Sequence, residues 1–193
     1  MTDLQTRLIQ WSTRHARLND RERYIGLSKI GECPLSNYRL YFMPNGVAYR
    51  EENQLLKFYI GYASEDDIVL RLKGLGDYRP GEQISMFGGR VQGHTDGSFE
   101  GRLVEIKSVA LESWLPTDRL PHKVWWQVQA YLRYTSFRDA YVIYLARETG
   151  RVAVFEVAED RELGRRIHNR VLALVRAIEN RVPPVCECGK CHP

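Results

Sequence analysis

The chain has 193 residues, 44% of them hydrophobic, which suffices for one well-buried core. A formal charge of +4 fits a polyanionic partner met at a local patch and falls short of the strongly basic arms of pure DNA binders. No apolar run is long enough to cross a bilayer, and no linker or repeat divides the sequence. One soluble, cytoplasmic domain over residues 1–193 is therefore expected.

In chain order, Leu4 to Arg17 reads as an amphipathic helix, too polar for a secretory leader. Pro34 to Phe42 predicts a short helix with proline in its first turn. Gln54 to Lys73 predicts a longer one carrying Glu65, Asp66 and Asp67 ahead of Ile68, Val69 and Leu72. Acids in that position are also what a helix dipole favours near a helix start. Gln83 to Asp96, kinked at Gly88-Gly89, and Arg102 to Val109 read as the two strands of a hairpin, turning at Gly97 to Gly101. A helix from Lys123 to Tyr134 follows the loop holding Pro116 and Pro121. Ala140 to Arg147 and Arg151 to Ala158 form a second hairpin, apolar enough for a sheet centre. Asp160 caps a last helix that runs to Asn180, and Pro183-Pro184 stops it before a cysteine-rich tail. Together these elements predict a mixed α/β fold.

Asp96 ends one alternating run, while Glu105 and Lys107 stand two apart on the next and leave the same face of their strand. Carboxylates converging there suit a hard cation such as Mg2+ or Mn2+. An ammonium beside them suits a scissile phosphate or its attacking water, so the pattern points to phosphodiester hydrolysis. The plainer reading is a turn at Asp96-Gly97 followed by a solvated strand face. Gln127 and Tyr131, four apart, share one helical face. Lys123, Trp126 and Arg133 on the same helix are candidate DNA contacts, by charge and by stacking.

Cys33 stands alone, whereas Cys186, Cys188 and Cys191 crowd into six residues. In a reducing compartment metal ligation outweighs disulfide formation, and the three neighbouring thiolates can share a metal or a cluster with Cys33.

Asp96, Glu105-Ile106-Lys107 and Gln127-Val128-Gln129-Ala130-Tyr131 together resemble the PD-(D/E)XK nuclease superfamily, in particular its RecB-like branch. Gly61-Tyr62-Ala63-Ser64-Glu65 fits that family's first motif. The resemblance implies a restriction-endonuclease-like core, a mixed central sheet flanked by helices. It implies Mg2+ or Mn2+ held by Glu65, Asp96, Glu105 and the backbone carbonyl of Ile106. Lys107 would position or deprotonate the attacking water or stabilise charge, with Gln127 and Tyr131 orienting Lys107 and the substrate strand. The four cysteines resemble the iron-sulfur staple of the CRISPR-associated RecB-like exonucleases and of AddB-type nuclease domains, which implies a [4Fe-4S] cluster joining the termini. The tight Cys-x-Cys-xx-Cys departs from those families and keeps Zn2+ as the rival occupant. Also implied is an exonuclease acting on DNA, from single-stranded ends in the 5′ to 3′ direction, in recombination, repair or CRISPR spacer processing. An integrase or recombination protein is the expected partner. A non-catalytic nucleic-acid-binding or scaffold protein with structural zinc is the competing class.

Overall fold

The computed structural model describes residues 23–43, 52–110 and 119–191, together with Leu4 and Arg7. The helix expected from Leu4 to Arg17 and the loop around Pro116 otherwise lie outside the described residues.

A two-residue strand β1 (Ile25–Gly26) runs into a 3-10 turn (Leu27–Lys29) and then helix α1 (Pro34–Phe42). Proline opens α1 where a backbone N–H would have no helical acceptor. Helix α2 spans Glu52–Leu75. Four short strands follow: β2 (Tyr78–Pro80), β3 (Gln83–Met86), β4 (Val91–His94) and β5 (Gly97–Phe99). Then come β6 (Arg102–Val109), α3 (His122–Tyr134), β7 (Asp139–Ala146), β8 (Val152–Ala158) and α4 (Arg161–Asn180). The Asp160 carboxylate accepts the Leu163 N–H at 2.9 Å and caps α4 as expected. No described helix is long and apolar enough to cross a membrane.

The strands form two sheets, ordered β1-β4-β3 and β2-β5-β6-β7-β8. The single strand expected from Gln83 to Asp96 is thus two antiparallel strands, with Gln83 opposite His94 and Met86 opposite Val91. Phe87, Gly88 and Gly89 all have positive φ, so the chain reverses where the pattern suggested only a kink. β4 consequently does not pair with β6. That role belongs to β5, which the sequence reading took for a loop, across the tight turn at Glu100-Gly101. β7 lies inside its sheet, parallel to β6 and antiparallel to β8, whereas β8 is an edge strand with Val152 and Val154 exposed.

β6 alternates between two cores. Leu103 belongs to the cluster built with Val128 and Leu132 of α3 and Ile167 and Leu174 of α4. Val104 and Ile106 face the other way, onto Ile68 and Leu72 of α2. This is the period-two geometry of a strand buried on both faces. Because β5 pairs with β6 only from Arg102 to Val104, that edge of β6 has no strand partner from Glu105 onward among the described residues. The open edge is where the polar residues gather.

Candidate active site

Glu105 and Lys107 leave β6 on the α3 side, and their side chains meet, Nζ to Oε1, at 2.5 Å. Gln127, one helical turn from Tyr131, joins both. Its Oε1 accepts from Lys107 Nζ at 3.1 Å, and its Nε2 donates to Glu105 Oε1 at 2.7 Å and to the Tyr131 hydroxyl at 3.2 Å. Asp96 lies in the two-residue link between β4 and β5, so it bridges the two sheets. Its Oδ2 accepts the Ile106 N–H at 2.6 Å, taking the place of the absent strand on the open edge. In an extended strand a residue's N–H and C=O leave on the same side, so the carbonyl of Ile106 faces that edge too.

Glu65 comes from α2. The helix begins at Glu52, which puts Glu65, Asp66 and Asp67 in its middle and removes the helix-dipole explanation for them. Asp67 pairs with Arg71 at 2.7 Å. Of the three acids, Glu65 lines the open cleft of about 610 Å³ together with Asp96, Glu105, Lys107 and Gln127. The structure therefore brings Glu65, Asp96, Glu105, Ile106, Lys107 and Gln127 to one place, with Tyr131 behind Gln127. Reading the sequence alone missed Ser28, Ser108 and Arg147 on the same walls. Arg147 Nη1 donates to the Ser108 carbonyl at 2.9 Å. Its only sequence signal is that it follows β7, and the parallel pairing that sets it beside β6 is not legible locally.

Electrostatics suit a cation. Burial and the charge of Asp96 push the Glu105 carboxyl up to about 8, against the pull of Lys107. Burial likewise raises Asp96. Burial draws Lys107 down, but the charges of Glu105 and Asp96 outweigh it and hold the ammonium above its ordinary range. Burial and the Glu105 charge raise the Tyr131 phenol, which stays protonated. Glu105 Oε2 is buried and has no hydrogen-bond partner, an arrangement that is costly unless something fills it. Glu65, Asp96 and Ile106 line the same cleft, so the donor set is oxygen, which suits Mg2+ or Mn2+.

Trp126, Lys123 and Arg133 do not line the cleft. Trp126 is buried beneath Arg170, whose guanidinium carbon lies 4.7 Å from a ring centroid, and Arg166 sits at 5.7 Å. Gly31 packs directly on it, so that a Cβ there would come within 2.7 Å of the Trp126 Cβ. The expectation of base stacking by Trp126 is thus replaced by core packing. Lys123 is exposed and pairs with Glu32 at 3.1 Å, and exposed Arg133 runs past Gly164 of α4.

The second cluster is sulfur. Cys33, Cys186, Cys188 and Cys191 have all their Sγ atoms within 4.8 Å of one another. Successive separations are 3.9 Å from Cys33 to Cys186, 3.6 Å to Cys188 and 3.4 Å to Cys191. Burial opposes ionisation of Cys33, but backbone N–H groups of Glu187, Ser36 and Leu35 pull its thiol down to about 6.

No family model matches the sequence, and no curated protein matches it. Among solved structures the chain is similar to the alkaline exonuclease LHK-Exo from Laribacter hongkongensis, at 13% identity and TM-score 0.65, over 84% of this chain and 91% of that one. A phage-related exonuclease from Haemophilus somnus 129PT matches at 12% identity and TM-score 0.57, over 85% and 97%. A protein named SSO0001 matches at 19% identity and TM-score 0.57, over 90% and 87%. At these identities the likeness establishes the fold. The chain shares the mixed α/β fold of these proteins, with four cysteines from its amino-terminal and carboxy-terminal segments clustered together.

Proposed function

We propose that this chain is a metal-dependent deoxyribonuclease, an exonuclease working from free DNA ends. The observation that carries the reading is the convergence of Asp96, Glu105, Lys107 and Gln127 on one cleft, with Glu105 Oε2 buried and unpartnered at its floor. Two of the proteins that share this fold, LHK-Exo and the phage-related exonuclease, are named as exonucleases, and LHK-Exo has also been solved in complex with dAMP, which supports the same class here.

In this reading Glu65, Asp96, Glu105 and the Ile106 carbonyl hold Mg2+ or Mn2+, which when bound lowers the pKa of a coordinated water and neutralises charge on the phosphate. The protein's own groups do the positioning. Asp96 keeps one oxygen on the Ile106 N–H, so its other oxygen is aimed by the backbone of β6. Lys107 stays cationic and donates to Gln127 and to Glu105, which leaves one ammonium proton for the phosphate or for the attacking water. Gln127 fixes Glu105 and Lys107 relative to each other, and protonated Tyr131 fixes Gln127. Arg147 offers a cation farther along the cleft for a neighbouring phosphate. Single-stranded, 5′ to 3′ trimming and a recombination or integrase partner belong to the same proposal, by resemblance.

The test is cleavage of oligonucleotides labelled at the 5′ or the 3′ end, single- and double-stranded, beside a covalently closed circle, with Mn2+ and with EDTA. Stepwise loss of label from single-stranded ends with the circle intact is expected. Cutting of the circle would make the enzyme an endonuclease, and turnover undiminished by EDTA would overturn the metal assignment.

A further inference from the structure

We propose that the four thiols form a closed site for one tetrahedral ion of the zinc class, and that they do not seat the four-iron cluster expected from resemblance. Thiolates about 2.3 Å from a single ion stand about 3.8 Å apart at the corners of a tetrahedron. The successive Sγ separations of 3.9, 3.6 and 3.4 Å match that figure, and no pair exceeds 4.8 Å. A cubane must hold four irons and four sulfides between its ligands, so it spreads them well beyond such contacts. The single residue between Cys186 and Cys188 agrees, being tighter than the two-residue gaps of ferredoxin-type cubane ligands.

The surroundings are built for a doubly anionic centre. The Lys190 N–H donates to Cys188 Sγ at 3.4 Å, while the amides of Leu35 and Ser36, at the start of α1, converge on Cys33. Arg170 of α4 sets the distance between the two segments. Its Nη1 donates to the carbonyls of Ile30 and Glu32 ahead of Cys33, and its Nη2 to Glu187 Oε2 between Cys186 and Cys188. Stacking on Trp126 holds the guanidinium in place. With four protein ligands no position is left for water, so the ion is structural and clips together segments 153 residues apart. It takes no part in cleavage, so this inference and the nuclease reading stand or fall separately.

The full chain, produced in medium containing both iron and zinc and purified without oxygen, is analysed for metal, acid-labile sulfide and visible absorption. The expected result is about one zinc per chain, no sulfide and no broad visible band, with Co2+ exchange giving the bands of a tetrahedral tetrathiolate. Iron and sulfide near four each, with a brown band, would overturn it. So would a single iron, or four reduced thiols without metal. Because Cys188→Ser can fail to fold, the wild-type chain is also titrated with a mercurial while released zinc is followed. Release complete only when all four thiols have reacted supports a single shared ion, and release complete after two thiols overturns it.

Discussion

Asp96 and Ile106 are joined side chain to backbone: the carboxylate accepts the strand's N–H at 2.6 Å, at the point where β6 loses its neighbour. Asp96→Ala therefore removes both the oxygen proposed to hold the cation and the clamp on β6. Cleavage with Mn2+ should fall by roughly 10³-fold or more. Asp96→Asn keeps a hydrogen-bond acceptor for the Ile106 N–H and should retain near-wild-type melting while losing comparable activity. Equal activity of Asp96→Asn and wild type in a labelled-oligonucleotide assay would remove Asp96 from the cation site.

The raised Glu105 carboxyl predicts how the metal-free cleft responds to pH. Its folded value, about 8, lies above the ordinary carboxylate value of 4.5, so between them the folded chain binds the extra proton. Stability from this group is then fully present below pH 4.5 and is lost as pH rises through about 8, on the order of a few kcal/mol. Buried Asp96 acts with the same sign. Mn2+ must expel the Glu105 proton, so its affinity should rise with pH up to about 8, and binding should raise the melting temperature more at pH 8.5 than at pH 6. Thermal melts across that range with and without Mn2+ check the sign. A Mn2+ effect larger at pH 6 would reverse it.

Gln127 is the hinge of the polar network, holding Lys107, Glu105 and Tyr131 at once. Gln127→Leu keeps its bulk but leaves buried Glu105 short of a donor, and cleavage should drop about 10- to 100-fold with weaker Mn2+ binding. Tyr131→Phe breaks one contact at the network's end and should cost far less. Kinetics at saturating Mn2+ separate the two, since only the Gln127 variant should remain slow there.

Arg170 can be told apart from Arg166, because both lie over Trp126 but, among the described residues, only Arg170 bonds to the thiol-bearing segments. Arg170→Gln should lower Co2+ affinity of the thiol site about 10- to 100-fold. Arg166→Gln should leave it unchanged. Absorbance titration of both variants decides, and equal losses would mean that packing on Trp126, not the bridging bonds, sets the site.

Gly81 is a close-approach glycine: a Cβ there would fall 1.6 Å from the Thr95 carbonyl. Gly81→Ala must push the Thr95-Asp96 link aside, which should cost about 3 kcal/mol and displace the Asp96 carboxylate. Denaturant melts should show the loss together with reduced Mn2+ affinity. Wild-type values for both would mean that the two loops are not in contact in solution.

Much of this site is local enough to be read from residues alone. Glu105 and Lys107 share a face because a strand repeats every two residues, and Gln127 meets Tyr131 because a helix returns every four. Asp160 as a cap and Pro34 as a helix opener are equally local. What stayed hidden depends on distant pairing or on backbone sign. Phe87-Gly88-Gly89 continues an apolar pattern while its positive φ values turn the chain back, so β3 and β4 read as one strand. Arg147 and Ser28 reach the cleft only because β7 lies parallel to β6 and because the turn after β1 docks there. Trp126 has the look of a stacking residue, and only the fold sets Gly31 and Arg170 against it.

β5 stops three residues into its partnership with β6. Had the hairpin run on for two more pairs, Thr95 would have stood opposite Ile106 and claimed its N–H, and Asp96 would have lost its seat. In this molecule an unfinished sheet is what opens the polar cleft: the gap left by a short strand is where its charged side chains collect.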